Sequence, residues 1–295
     1  MSAHPLAGRT ALVTGVSRRR GIGFAVATRL AELGADVVVH HFRAHDLDQP
    51  WGADDLDTVR AGIQDALRPG ARVDDVEADL REAASIPGVI ARAAALIGRL
   101  DILVCNHARS GGDGSIFDMT PERLDAFWDA NTRSTLLLTR AFAEVGMPES
   151  TAAGEERTPA QPGTRAVTNA PIDAATARRV FWMTSGQHDG PMRGEVAYAT
   201  SKAALAGVTA TVAAELLGAG IILNTINPGP VNTGYLDAET TDRPLDDIQE
   251  VIAGTPFGRF GQPSDPANLI GWLSTPEGSW IVGQVITSDG GFRLA

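Results

Sequence analysis

The sequence predicts an α/β protein in which a single domain, residues 1–295, is built on a doubly wound parallel sheet of about seven strands. Short apolar segments alternate with amphipathic ones to the end of the chain, which is typical of parallel strands covered by helices on both faces. A glycine-rich stretch joins the first apolar segment to the first amphipathic one. With 295 residues, of which 43% are hydrophobic, the chain is long enough for one large core.

Strands and helices are expected to alternate along the chain. The strands are expected near residues 9–14, 36–40, 72–77, 101–105, 179–185, 221–226 and 284–288. The helices are expected near residues 22–33, 54–67, 86–98, 121–143, 196–217 and 265–274. Two helices begin with capping signals, because Thr120 stands before Pro121 and Ser264-Asp265-Pro266 repeats that arrangement.

The first three elements form a recognisable unit. Residues 9–14 are an apolar strand that ends at Gly15. The helix that follows the glycine loop places Ile22 and Val26 on one face, and Gly34 ends it before the next strand. Strand, glycine loop, helix and strand are the Rossmann dinucleotide-binding unit, in which glycines let the backbone approach a pyrophosphate and the helix N-terminus supplies free N–H groups. The sequence therefore predicts a nucleotide site at this loop.

One segment interrupts the alternation. Residues 146–178 are rich in Pro, Thr, Ala and Gly and have little helical or strand periodicity, which predicts a flexible insertion before the fifth strand. In parallel sheets the ligand crevice lies outside the carboxyl ends of the strands, so a helix-to-strand connection lies at the opposite edge. We therefore expect a surface elaboration or a contact with another subunit rather than a lid over the active site.

Charge and cysteine content exclude several function classes. The net charge of −11 argues against nonspecific binding to nucleic acid or to anionic membranes. The single cysteine, Cys105, lies in an apolar strand, so it is expected to be a buried hydrophobe that forms no intramolecular disulfide. No secretory signal or membrane-spanning run is apparent, and no metal site is expected. These features fit a cytoplasmic protein.

The chemistry is expected to depend on Tyr198 and Lys202, which stand four residues apart on a predicted helix. Such residues share one helix face, so the phenol and the ammonium should be neighbours. Lowering a tyrosine pKa from about 10 towards neutrality takes roughly 4 kcal/mol, about what a cation ~4 Å away supplies at an effective dielectric of ~20. Tyr198 is therefore a candidate general acid/base, although most isolated pairs of this spacing are solvated surface residues.

Further motifs follow one another along the chain. They are Thr14-Gly15 followed after five residues by Gly21-Ile22-Gly23, Asp79-Leu80, Asn106-His107-Ala108-Arg109, Asn131, Ser185, Tyr198 with Lys202, Asn227-Pro228-Gly229 and Asp289-Gly290-Gly291. Together they resemble the short-chain dehydrogenase/reductase family over nearly the whole chain, and in particular its 3-oxoacyl-carrier-protein reductase-like members with an extended glycine loop. The loop is two residues longer than usual, and residues 106–109 replace the family's Asn-Asn-Ala-Gly.

The resemblance implies a role for each matching residue. Ser185 would donate a hydrogen bond to a substrate carbonyl oxygen, and Tyr198 would deliver the proton. Lys202 would favour the phenolate and hold the nicotinamide ribose, and Asn131 would anchor a water that relays protons to Lys202. The implied cofactor contacts are Gly15, Ser17, Arg18, Gly21, Ile22, Gly23, Arg43, Asp79, Leu80, Asn106, Tyr198, Lys202, Pro228, Gly229, Val231 and Thr233.

NADP (NADPH) is the expected cofactor, and NAD is less favoured. An acidic residue at the end of the second strand would bind the ribose hydroxyls of NAD, but this chain has His40-His41-Phe42-Arg43 there and no acid before Asp46. Ser17-Arg18 also resembles the Ser-Arg of NADP-using relatives. The candidate partners of the extra phosphate are Arg18, Arg19, Arg20 and Arg43.

The favoured function is an NADP-dependent oxidoreductase that transfers a hydride between nicotinamide and a carbonyl or secondary alcohol. A 3-oxoacyl thioester and a small ketone are the competing substrates. Its pocket is expected to include Gln187, His188, Met192, Glu195, Tyr235 and Leu236. The alternative is a non-catalytic, nucleotide-sensing binding protein on the same fold, but such relatives typically lose the tyrosine or lysine that this chain retains.

The expected partners are a small-molecule carbonyl substrate and further copies of this chain. An acyl carrier protein is a candidate, although the net negative charge disfavours an acidic partner. Members of the family pair the helices that correspond to 121–143 and 196–217 between subunits. The resemblance therefore implies a homotetramer or homodimer.

Overall fold

All seven strands join in one parallel sheet. In a computed structural model, the described residues are 4–96, 98–145, 171–237, 239–240, 250 and 252–294. The strands are β1 Thr10–Thr14, β2 Asp36–His41, β3 Val73–Glu77, β4 Ile102–Cys105, β5 Arg178–Met183, β6 Ile221–Asn227 and β7 Val285–Thr287. Their order across the sheet is β3-β2-β1-β4-β5-β6-β7, with every neighbouring pair parallel. This confirms the predicted α/β class and strand positions.

Helices cover both faces of the sheet. They are α1 Ile22–Glu32, α2 Arg43–Leu47, α3 Leu56–Gln64, α4 Ile86–Ala95, α5 Pro121–Phe127, α6 Ser134–Val145, α7 Val196–Leu217 and α8 Ser264–Ser274. One core layer lies under α1, α3 and α8, and the other under α4, α6 and α7. Along β1, Val13 belongs to the first layer and Leu12 to the second, as the alternation of side chains in a strand requires. Among the helices of the described ranges, none combines the length and apolarity needed to cross a membrane.

The strand order places the functional cleft. Since β1 pairs with β2 on one side and with β4 on the other, the chain reverses direction across the sheet at β1. A crevice outside the carboxyl ends of such strands is where open α/β sheets bind their ligands. The residues that follow these strands meet there: the side-chain amide of Asn106 donates to the carbonyl oxygen of Gly15 at 3.1 Å.

The helix predicted as one unit over residues 121–143 is interrupted. Between α5 and α6 lies a π-helical segment, Trp128–Arg133. Within it Asn131 and Thr132 are both buried, and the Thr132 hydroxyl donates to the carbonyl oxygen of Ser201 in α7 at 2.9 Å. Such segments are frequent at functional sites. Apolar periodicity does not reveal them, because the flanking turns keep the helical pattern.

The expected insertion, residues 146–178, is described only from residue 171 onward. Its end is held at the amino ends of β1 and β5. Arg9, just before β1, donates to the carbonyl oxygen of Ala175 at 2.5 Å, and Arg179, buried in β5, donates to that of Ala177 at 2.7 Å. These contacts lie at the amino ends of the strands, on the side of the sheet away from the residues that follow the strands.

Replacing residues 150–170 by a short Gly/Ser linker should leave the turnover number within about threefold, a barrier change of only ~0.65 kcal/mol. Long surface loops cost little closure entropy, and the anchored end is kept. Extending the deletion to residue 177 should instead lower the melting temperature, because the buried guanidinium of Arg179 loses carbonyl partners. Turnover and thermal unfolding of both variants check this. If the variant that lacks residues 150–170 folded but lost turnover, this segment would instead be a lid over the active site.

Candidate active site

A cleft of about 430 Å³ lies at the carboxyl ends of the strands. Most of the residues predicted to bind cofactor or to act in catalysis line it, namely Gly15, Ser17, Arg18, Gly21, Ile22, Asp79, Leu80, Asn106, Ser185, Tyr198, Lys202, Pro228, Gly229, Val231 and Thr233. Gly23, Arg43 and Asn131 lie outside its wall. The glycine loop and the Tyr198–Lys202 pair therefore open into one space.

Two positions of the loop require glycine. Gly15 has a φ of 72°, and a Cβ added there would lie 2.7 Å from the Cα of His107. A Cβ added at Gly23 would lie 2.6 Å from the carbonyl oxygen of Gly15 and 2.7 Å from the side-chain nitrogen of Asn106. Real Cβ atoms do not approach so closely. The loop is therefore packed directly on the start of α1 and on the end of β4, and no side chain can enter between them.

His107 joins β1 to α6. Its Nδ1 lies 2.6 Å from the hydroxyl of Thr14 and its Nε2 lies 2.7 Å from the hydroxyl of Ser134, which donates to the carbonyl oxygen of Ala130. Burial holds the pKa of His107 well below its usual value, so the ring is neutral. The altered motif at residues 106–109 thus places a hydrogen-bonded imidazole under the glycine loop. The sequence showed the substitution but not its role.

Lys202 is buried beside Tyr198 on α7. Its ammonium lies 5.7 Å from the centroid of the Tyr198 ring and donates to the carbonyl oxygen of Met183, at the end of β5, at 2.9 Å. Burial lowers the pKa of Lys202 to about 8. Lys202 is also the only lysine of the chain, in which every other cationic side chain is Arg or His. Since an arginine keeps its charge whatever its surroundings, lysine is the residue type whose charge can be tuned here.

Several of the residues expected to contact the substrate also line the cleft. Ser185, two residues after β5, is half-buried in the wall, as is Tyr198. Of the expected pocket residues, Met192, Glu195 and Tyr235 also line the cleft. Gln187 instead donates from its side-chain amide to the hydroxyl of Thr184, and Leu236 is buried. The side chain of His188 lies outside the described part. Tyr198 and Tyr235 are the only tyrosines of the chain, and both face the cleft.

Asn131 connects the loop after β4 to α7. Its side-chain oxygen accepts from the backbone N–H of Arg109 at 2.6 Å, and its side-chain nitrogen donates to the carbonyl oxygen of Arg109 at 3.2 Å and to the hydroxyl of Ser201 at 2.9 Å. Asn131 is fully buried. Through these contacts Asn131 connects the loop after β4 to α7. Its role in a proton relay to Lys202 stays a prediction.

Arg18 lines the cleft near α2. Its guanidinium donates to the carbonyl oxygen of Thr233 at 2.6 Å, lies 3.3 Å from the carboxylate of Asp46 and faces the ring of Trp51 at 5.5 Å. Burial lowers the pKa of Arg18, although Asp46 opposes the shift. Asp46 and Trp51, which also line the cleft, are functional candidates that sequence reasoning missed, because α2 is too short to show a pattern.

The other candidate arginines have different surroundings. Arg43 lies on α2 outside the cleft wall, Arg20 pairs with Asp237 at 2.7 Å, and Arg19 faces the ring of Phe24 at 5.9 Å. This leaves Arg18 as the predicted phosphate partner that lines the cleft. Over the described ranges, no group of three or more His, Cys, Asp or Glu side chains could hold a metal ion.

Comparisons with known proteins show which proteins this chain is similar to. A family model described as Enoyl-(Acyl carrier protein) reductase matches residues 15–154 and 165–293. The oxidoreductase YjdA of Bacillus subtilis is 30% identical over 96% of this chain and 96% of its own length. The chloroplastic NADPH-dependent aldehyde reductase-like protein of Arabidopsis thaliana is 30% identical over 98% of this chain and 95% of its own. A short-chain dehydrogenase from Burkholderia cenocepacia, solved with NADP, is 30% identical with a TM-score of 0.75, covering 98% of this chain and 99% of that one.

Proposed function

The chain belongs to the short-chain dehydrogenase/reductase family, a family of oxidoreductases, and we propose that it is an NADP-dependent member that interconverts a carbonyl compound and a secondary alcohol. The observation that carries this proposal is the single cleft that holds both the glycine loop and Ser185, Tyr198 and Lys202. Two relatives support it, since one is an NADPH-dependent aldehyde reductase-like protein and another was solved with NADP.

The residues of the cleft fit a dinucleotide. Glycine at positions 15 and 23 lets the loop pack closely on residues 106 and 107. Gly15 and Gly21 line the cleft, so the backbone there would lie against a pyrophosphate. The N-cap position of α1 is Gly21, and no side chain caps this helix, which leaves its first N–H groups for an anion. Arg18 would contact the 2′-phosphate, and Asp79 would hold the adenine. A nicotinamide bound there supplies or accepts the hydride.

Three side chains would handle the substrate oxygen. The hydroxyl of Ser185 would donate a hydrogen bond to it as negative charge develops. The phenol of Tyr198 would give it a proton, and in the direction of alcohol oxidation it would take that proton back. The ammonium of Lys202 would favour the phenolate left behind, because it lies 5.7 Å from the ring centroid in a buried place where the charge is weakly screened. The phenol is therefore the group that exchanges a proton directly with the substrate oxygen.

Mixing the protein with NADPH or NADH and a panel of aldehydes, ketones and 3-oxoacyl thioesters tests the proposal by the loss of reduced-cofactor absorbance. NADPH should bind more tightly than NADH, and the preference should shrink at high salt, which screens the phosphate. A protein that oxidises neither cofactor with any member of the panel would refute the proposal. Equal or tighter binding of NADH would refute its cofactor part alone.

Arg18→Leu should reduce the preference for NADPH over NADH by about 10-fold or more, the worth of a charge-assisted hydrogen bond. Arg19→Leu is the matched control, since Arg19 is the next residue but lies outside the cleft wall. The ratio of the two dissociation constants is the readout, because it cancels any general loosening of the site. If the ratio of the NADPH and NADH dissociation constants were the same in both variants, a cation other than Arg18 would bind the 2′-phosphate.

The substrate and the assembly complete the proposal. A 3-oxoacyl thioester and a small ketone both remain candidates, and the first would bring an acyl carrier protein as partner. We also propose a homodimer or homotetramer, because the chain belongs to a family whose members pair the helices that correspond to α5–α6 and α7.

A further inference from the structure

The N-terminus of α7 is capped by a residue from a distant loop. Glu195, at the N-cap position, makes no side-chain capping hydrogen bond. The carboxylate of Asp113 instead accepts from the backbone N–H of Ala197 at 3.1 Å and from that of Tyr198 at 2.7 Å. A carboxylate there satisfies helix N–H groups that have no partner within the helix, and it interacts favourably with the positive end of the helix dipole. The catalytic tyrosine is thus bonded through its own backbone to Asp113.

The segment that carries Asp113 has high conformational freedom. Residues 110–114 read Ser-Gly-Gly-Asp-Gly, and both Gly111 and Gly112 have positive φ. A second contact supports the carboxylate, because the backbone N–H of Val196 donates to the carbonyl oxygen of Gly114 at 3.2 Å. A glycine-rich segment would not hold one conformation by itself. Its bonds to the first turn of α7 therefore order the loop and the helix end together.

We propose that Asp113 is a positioning residue for Tyr198, whose carboxylate fixes the first turn of α7 and whose charge opposes ionisation of the phenol. Tyr198 is the third residue of α7, so a shift of this turn moves the backbone from which the phenol projects. Lys202, one turn later, is held separately by the carbonyl oxygen of Met183. Asp113 therefore determines where the phenol lies relative to the ammonium. The proposal rests on the acid/base role proposed for Tyr198.

Two substitutions of Asp113 remove its negative charge but differ in how much of the cap on α7 they leave. Asp113→Asn keeps one side-chain oxygen, which can accept from one of the two helix N–H groups, and removes the negative charge together with the second acceptor. Asp113→Ala removes the charge and both acceptors. Asp118→Asn is the matched control, because Asp118 lies in the same loop and its carboxylate accepts from the backbone N–H and the hydroxyl of Ser115, at 2.9 and 2.6 Å, rather than from α7.

The first measurement needs no turnover. In a Tyr235→Phe background Tyr198 is the only tyrosine, so the ultraviolet absorbance of the phenolate reports its titration alone. Asp113→Asn should lower the midpoint of this titration, because the negative charge that is bonded to the backbone N–H of the same residue is lost. Asp118→Asn should leave it unchanged. Hydrogen exchange of the amides of residues 196–199 should be faster in Asp113→Ala than in Asp113→Asn, which keeps a cap.

The second measurement is kinetic. Asp113→Ala should lower kcat by about tenfold or more, ~1.4 kcal/mol of barrier, with the NADPH dissociation constant within about threefold of the parent. Asp113→Asn, which keeps one of the two cap hydrogen bonds, should recover part of kcat, with its pH profile displaced to lower pH. A titration midpoint that Asp113→Asn does not move, or a kcat that Asp113→Ala does not lower, would overturn the proposal. Absence of turnover in the parent would refute the proposed function instead, while titration and exchange would still decide the role of Asp113.

Discussion

Tyr198→Phe is expected to abolish turnover and to leave the fold and the binding of NADPH nearly intact. The substitution removes one hydroxyl from a half-buried ring that packs edge-on against Phe127, with ring centroids 6.5 Å apart, so the shape of the site is kept. The lost group is the proposed proton donor to the substrate oxygen. A positioned acid or base contributes about 10²–10⁴ in rate. We therefore expect kcat to fall at least about hundredfold.

The assay is the steady-state kcat with the best substrate of the panel. Thermal unfolding and NADPH titration of the same variant establish that only the chemistry has changed. A variant that kept more than about a tenth of the wild-type rate, a loss below ~1.4 kcal/mol, would show that the proton comes from another group.

Lys202→Met is expected to impair both the rate and the binding of NADPH. Methionine has a similar length and suits a buried site, so the packing is largely kept while the cation is lost. Without the ammonium the phenolate of Tyr198 loses the positive charge that favours it, and the carbonyl oxygen of Met183 loses its donor. In the Tyr235→Phe background, the titration midpoint of Tyr198 should therefore rise. If the midpoint did not move, Lys202 would not affect the pKa of the Tyr198 phenol.

The single lysine allows the charge itself to be followed. Protein labelled with ¹³C-lysine should give one ε-carbon resonance, and its titration reports Lys202 directly. Burial lowers the pKa of Lys202 to about 8, so the charge is held below that pH and is lost above it, well before an exposed lysine would deprotonate at about 10.5. A midpoint at the exposed value would contradict the buried environment on which the account of catalysis depends.

Local patterns predicted the fold, the glycine loop and the pairing of Tyr198 with Lys202, and the resemblance to the family implied the other residues of the site. The strand that ends at Gly15, the helix after it and the four-residue spacing of Tyr198 and Lys202 are properties of short segments, and alternating apolar runs then determine a parallel sheet. The carboxyl ends of such strands meet, so the glycine loop is expected to open into the crevice there, and the resemblance to the family implies that Ser185 belongs to the same site; the structure places both in one cleft.

Contacts between distant loops could not be predicted in this way. Asp113 precedes Tyr198 by 85 residues in a glycine-rich segment without periodicity, and nothing local distinguishes it from Asp118. Asp46 and Trp51 reach Arg18 because the glycine loop follows β1, which pairs with β2, and both residues come soon after β2. The π-helical turn at Asn131 likewise depends on packing against α7.

Hydride transfer is tested most directly with NADPH that carries deuterium at both C4 positions of the nicotinamide, by following the label into a carbonyl substrate in a single turnover. Mass spectrometry should find one deuterium on the carbinol carbon of the product with the wild-type protein. Tyr198→Phe should bind the same cofactor and form no labelled alcohol within the same time. Tight binding of NADPH without transfer to any aldehyde, ketone or 3-oxoacyl thioester would contradict the account and would identify a nucleotide-binding protein that performs no reduction.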